Sequence, residues 1–320
     1  MEKKKISPQT AGILGLIAVV FLIFTFLVPE FSYIKPKNIN NIITDAVIPA
    51  IIAFGMGIIV AGGGFDLSLG HVASISALVT AYLMSGGIRM YPVPAIAAGL
   101  VFAAVIGLFT GVLVSRFGIS SFIVTLGVQF LIIGVRQIIT GGSSVYINSK
   151  SFKGLAASPL GISNLVFVLI AVMILTWLLM ERSVWGRKIQ FIGSNIEASR
   201  FKGIDVKNIT MMTFVLGAVL AAFAGMLFSA RAGAVQINSV DSKLLDAITI
   251  AVFSNVIFHK FKTYGIIMVA VLISMIGMGM SMLGIKAEWI EFVKGVILLV
   301  SIIMGKYSGV LTIKFRKGEV

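Results

Sequence analysis

The sequence predicts an all-α, polytopic transmembrane bundle of about ten spans with broken helices, and two observations predict it. Of 320 residues, 58% are hydrophobic and 12% charged, a balance that suits lipid as solvent better than water. Apolar runs near the length of about 20 residues that a bilayer demands recur from Ala11 to Met304, separated by short polar interruptions. A single transmembrane domain over 1–320 follows.

The runs lie near 11–28, 43–61, 67–85, 92–114, 121–139, 163–180, 209–230, 245–258, 264–283 and 289–305. The first follows Lys3, Lys4 and Lys5 and leads into Pro29-Glu30-Phe31 instead of a small-residue cleavage site, so it reads as an uncleaved span. With those lysines in the cytoplasm, alternation puts most other basic residues on the same side, including Arg182, Arg187, Lys188, Arg200, Lys202 and Lys207. The positive-inside rule then favours an N-in, C-in chain. The formal charge of +14 therefore reports orientation and contact with anionic headgroups, with no nucleic-acid partner implied. Cysteine is absent, which excludes disulfides and thiol chemistry.

Two connections are long. The segment 140–161, rich in Gly and Ser, is expected to fold over the outer face. The segment 181–208 interleaves apolar residues with Glu197, Arg200 and Lys202 over 189–204, which suits a short surface helix lying against another protein or headgroups. Asp45-Ala46-Val47-Ile48 and Asp246-Ala247-Ile248 open two spans alike, too short a match to define a repeat.

The most specific local feature is Gly62-Gly-Gly-Phe-Asp-Leu-Ser-Leu-Gly70. Helix cannot run smoothly through it, and backbone left unpaired at membrane depth must be buried in protein or face water. Gly63, Gly64, Asp66, Ser68 and Gly70 thus mark a helix break, with Asp66 expected to cap the helix that follows or to touch a solute. Further on, Ser120 and Ser121 are placed to cap a span in which Thr125, Gly127, Gln129 and Gly134 give a small, polar face, for packing or for a pathway wall. Arg136 near that span's end is expected to snorkel. Glu291 and Lys294, three apart, are expected to pair. His71 and His259 lack a second ligand at metal spacing, so no metal site is expected. No phosphate loop Gly-x-x-x-x-Gly-Lys-Ser/Thr and no Gly-x-Ser-x-Gly nucleophile occur, so no catalytic residue is assigned. The residues alone leave open an ion- or proton-coupled secondary transporter and a membrane scaffold.

Three stretches carry a resemblance. Gly63-Gly-Phe-Asp-Leu-Ser-Leu-Gly70 is similar to Gly-Gly-Ile-Asp-Leu-Ser-Val-Gly, and Phe122-Ile-Val-Thr-Leu-Gly127 is followed by Thr140-Gly-Gly142. Gly186-Arg-Lys, Ile192-Gly-Ser-Asn195, Glu197-Ala198 and Gly203-Ile204 resemble Gly-Arg, Ile-Gly-Gly-Asn, Glu-Ala-Ala and Gly-Ile. Over nearly its whole length the chain resembles the permease subunits of bacterial ABC importers of the ribose, xylose and galactoside type, relatives of branched-chain amino acid permeases. That resemblance implies sugar import across the cytoplasmic membrane of a bacterium. It implies a cytoplasmic ATPase subunit holding ATP and Mg, with no cofactor in this chain. It also implies an extracytoplasmic solute-binding protein and a second permease chain, the same or different. Gly193, Asn195, Glu197, Ala198 and Gly203 in 181–208 would form the coupling helix on the ATPase. Phe122, Thr125 and Gly127 would join the 63–70 break along the pathway. One departure stands out: where the family has a glycine-rich stretch, 252–265 carries Phe258, His259, Phe261 and Tyr264, which should stiffen that break and fill its space.

Overall fold

The computed structural model describes residues 7–85, 88–159, 161–235 and 240–307. Lys3, Lys4, Lys5, Lys314, Arg316 and Lys317 of the charge asymmetry lie outside the described residues.

The ten expected spans are ten long helices. They are α1 (Pro8–Leu27), α2 (Pro36–Ala61), α3 (Leu69–Ser85), α4 (Pro92–Ser115), α5 (Ser121–Thr140), α7 (Asn164–Trp177), α10 (Val206–Ala232), α11 (Lys243–Phe258), α12 (Thr263–Met282) and α13 (Ala287–Tyr307). A π-helical turn, Leu178–Arg182, extends α7. The shorter α6 (Lys150–Lys153), α8 (Val184–Ser194) and α9 (Ile196–Phe201) sit in the two long connections. Proline opens α1, α2 and α4, where its missing amide would be unpaired in any case.

Among the described residues seven helices are long and apolar enough to cross a bilayer by length and composition; α3 is a shorter apolar helix. α2 is the axis: 89% of its most apolar stretch is buried, against 11% for α1, which therefore lies at the rim. α10 packs on α2, α3 and α4; α11 lies between α2 and α13, and α12 between α2 and α1. Large apolar side chains are left on the outside of the long helices, such as Phe26 on α1, Val101 on α4 and Ile138 on α5, as a lipid-facing surface requires.

Alternation of the long helices puts α8 and α9 at one end of the bundle. At the other end the 140–161 connection folds down through β1 (Val145–Tyr146), which pairs antiparallel with β2 (Ala234–Val235), Val145 opposite Val235. Ile147 and Phe152 are buried there. The departure at 252–258 contains no break: α11 runs through it to Phe258, and the turn comes after, at His259 with φ 54°. Phe261 is buried beside Gly57 of α2, and Phe258 meets Tyr264 edge-on at 5.1 Å.

Candidate functional site

The 181–208 connection is two helices, not the single surface helix expected. Ser183 caps α8, its hydroxyl accepting from Gly186 N at 3.1 Å. Ile189 and Ile192 turn inward while Arg187 and Lys188 stay exposed, so one face of α8 seats on the bundle. Asn195, with φ −157°, ends α8 and starts α9, its side chain accepting from Ala198 N at 2.9 Å. Ser199 donates to Asn195 O at 2.8 Å, and Glu197 pairs with Arg200 at 3.0 Å on the outer face. Gly203 takes φ 69° and leaves open space around it. Phe201, 90% exposed, ends α9.

This unit rests on the end of α2. Gly193 lies so close to the Ala61 carbonyl and Gly63 that any Cβ there would collide with backbone. Beyond Gly63, which takes φ 83°, the chain stays non-helical until α3 begins at Leu69. Phe65 N donates to Ser121 Oγ at 3.1 Å and Leu67 N to Thr125 Oγ1 at 3.2 Å. Alternate amides of the break thus meet Ser121 and Thr125, about one helical turn apart on α5, and backbone donors that helix cannot satisfy are satisfied there. Asp66 Oδ1 accepts from Ser68 N at 2.7 Å and from Ser68 Oγ at 2.6 Å, closing a local turn one residue ahead of α3.

Several expectations need correction. Ser120 makes no side-chain cap, and Ser121 serves the break instead. Thr125 is fully buried on the face of α5 that meets the break, whereas Gly127 and Gly134 have open space and Phe122 is half exposed, so no single small, polar face exists. Helical phase separates them: 121, 125, 128, 132 and 136 share the inward side. Gly64 packs near Ile59 and Phe214, while Gly70, in the first turn of α3, lies where a Cβ would be 2.9 Å from Leu244 Cβ and 3.3 Å from Asp241 Cα. The starts of α3 and α11 thus abut.

A charged cluster sits at that junction. Arg136 does not snorkel; 3% exposed, it donates to both carboxylate oxygens of Asp241, at 3.0 and 2.7 Å. Ser74 Oγ donates to Asp241 at 2.6 Å, and His71 Nδ1 lies 3.1 Å from it. Sequence reading missed Asp241, since nothing near it in the chain marks it. Two of the residues that find it, Arg136 and Ser74, lie 105 and 167 positions away from it in the chain.

Lys294 has the expected contact with Glu291, 3.1 Å, and a closer one to Asp246 of α11, 2.9 Å. At the end away from α8 and α9, Asp45 pairs with Arg231 at 2.7 Å. Among the described residues no group of three or more His, Cys, Asp or Glu could hold a metal ion.

A helical bundle with an apolar rim, a non-helical break held inside it and buried ion pairs between its helices defines a multi-pass membrane transport protein. The family model described as branched-chain amino acid transport system / permease component matches residues 38–302, and the chain belongs to that family. It is similar to the ribose import permease protein of Escherichia coli K12, 29% identical over 303 residues that cover 92% of this chain and 93% of the relative. The D-allose transport system permease protein of the same strain is 28% identical over 298 residues, 92% and 91% of the two chains. A probable ABC transporter permease protein of Sinorhizobium fredii is 30% identical over 289 residues, 88% and 84% of the two. No solved structure matches.

Proposed function

We propose that this chain is the membrane-spanning permease subunit of an ATP-binding-cassette importer that moves a sugar or sugar-like solute across the bacterial cytoplasmic membrane. Import permeases for ribose and allose align with 92% of it, which favours this reading over an ion-coupled secondary transporter. The observation that carries the mechanism is the seat of α8 and α9 on the end of α2, through Gly193 against Ala61 and Gly63.

Both termini and the 181–208 segment then lie in the cytoplasm, where Asn195, Glu197, Ala198 and Gly203 face a separate ATPase that binds ATP and Mg. Closure of that ATPase pushes α8, α8 pushes the 63–68 break, and the break moves with Ser121 and Thr125 of α5. Contact and packing carry the motion. An extracytoplasmic binding protein delivers solute to the opposite end, and a second permease chain and lipid cover the apolar rim.

Isolating the complex from its native membrane tests the reading. An ATPase and a solute-binding protein should copurify, and the reconstituted complex should take up ribose, allose or galactose only with ATP. Uptake by the lone chain down an ion gradient would overturn it.

A further inference from the structure

Away from α8 and α9, the helices α2, α10, α11, α12 and α13 enclose a cavity of about 540 Å³. Six charged side chains line it: Asp45, Arg231, Lys243, Asp246, Glu291 and Lys294. Three are acidic and three basic, so the wall carries no net charge. The charges are layered by depth. Asp246 and Lys294 form the inner pair, with side chains 6% and 10% exposed, whereas Asp45, Arg231 and Glu291 are 45%, 41% and 49% exposed. Phe228 and Pro49 add apolar wall. The two similar pairs Asp45-Ala46, inside α2, and Asp246-Ala247, in the first turn of α11, both contribute their carboxylates here.

Buried ion pairs are a costly way to hold helices together, since apolar side chains of equal volume do as well or better. Ionisable groups inside a membrane bundle that border a cavity mark solute paths more often than they mark struts. The volume falls in the range of about 300–1,000 Å³ of small-molecule sites. A wall of balanced charge gives no advantage to an anion or a cation. It suits a zwitterion, or a solute that both donates and accepts many hydrogen bonds, because carboxylates accept from vicinal hydroxyls while ammonium and guanidinium groups donate to ring and hydroxyl oxygens; the similarity to ribose and allose permeases favours the second.

We infer that this vestibule is a binding subsite within one permease chain for a neutral, polyhydroxylated solute of the monosaccharide class, with Asp45, Glu291 and Lys294 as its polar contacts. The inference rests on the sugar-import reading and names where, in that reading, the solute first meets the permease.

The chain has no cysteine, so one introduced thiol reports alone. Met278→Cys, on the cavity wall, is placed in the complete complex in lipid nanodiscs. Labelling with a charged maleimide is timed with ribose, galactose, leucine or no addition. The thiol should label, at least one sugar should slow it, and leucine at equal concentration should not. Adding Glu291→Gln should raise the sugar concentration for half protection about tenfold, as loss of a charged hydrogen-bond partner requires. A thiol that never labels, protection by leucine equal to that by sugar, or a Glu291→Gln variant protected like its parent would each overturn the subsite. Uptake by the same complex is measured in parallel. Sugar uptake without protection removes the vestibule alone; no sugar uptake by any complex removes the import reading itself.

Discussion

Arg136 of α5 and Asp241 ahead of α11 face each other as a two-pronged ion pair, Nη1 to Oδ1 at 3.0 Å and Nη2 to Oδ2 at 2.7 Å. The pair joins two segments 105 residues apart in the chain. With both side chains almost wholly enclosed, removing one leaves the other charged and buried, a loss of about 3–5 kcal/mol. Arg136→Met alone should therefore lower the unfolding temperature sharply. Arg136→Met combined with Asp241→Asn should recover a large part of the loss, because no lone charge remains. Thermal unfolding of the four proteins in nanodiscs closes the cycle, and strict additivity would mean that the two groups do not interact.

Thr125 makes a narrower claim. Its Oγ1 accepts from Leu67 N at 3.2 Å inside the bundle, and valine has the same shape without the acceptor. Thr125→Val should destabilise by about 1–3 kcal/mol by leaving that amide unpaired, while Thr125→Ser should cost much less. Ser121→Ala tests the neighbouring bond to Phe65 N, which is partly buried and should matter less. Equal unfolding temperatures for Thr125→Val and Thr125→Ser would show that the break is held by packing alone.

The seat of α8 on α2 predicts a functional loss with little loss of fold. A methyl at position 193 meets the Ala61 backbone, which has no flexible end to move aside. Gly193→Ala should therefore displace α8, leaving membrane insertion intact and lowering ATP-driven uptake at least about tenfold, since small misplacements at such couplings are amplified. Asn195→Ala acts differently: it removes the cap on Ala198 N and should loosen α9 by about 0.5–2 kcal/mol. Asn195→Asp should restore both the cap and uptake. Limited proteolysis across 195–203 separates a frayed α9 from a displaced α8.

Much of this architecture can be read from sequence because lipid imposes strict periodicity and length. The ten spans, the break at Gly62 to Gly70 and the Glu291–Lys294 contact each depend on residues near one another in the chain. What cannot be read depends on which distant helix faces which. Lys294 meets Asp246 as well as Glu291, and nothing local to either residue says so. Arg136 at a span end looks like any snorkelling arginine until the turn before α11 brings Asp241 to it. Ser121 looks like a cap because serine at a helix start commonly is one; its real partner is 56 residues away. The split of α8 from α9 was legible in principle, since Asn195 followed by Glu197 and Ala198 has the composition of a helix start, but amphipathic spacing runs on through it and hides the break.

Glu181 supplies the last prediction. It lies at the end of the π-helical extension of α7, accepts from Lys262 Nζ at 2.7 Å, and accepts from Thr263 N at 2.9 Å. Thr263 is the first residue of α12, so a carboxylate from one helix caps the start of another and favours its dipole. The two bonds differ in kind. Glu181→Gln keeps a neutral acceptor for the amide and loses the ion pair, so it should cost less than Glu181→Ala, which loses both and should cost about 1–3 kcal/mol. Exchanging the charges, Glu181→Lys with Lys262→Glu, restores attraction, but lysine has no acceptor to offer Thr263 N. The exchanged protein should therefore unfold below the parent and above Glu181→Lys alone. If it matched the parent, the cap would contribute nothing and the bracket would be purely ionic. Because α7 leads directly into α8, the order of these variants in unfolding temperature should reappear in ATP-driven uptake. An order in stability without the same order in uptake would mean that Glu181 holds α12 in place without transmitting anything from the coupling segment.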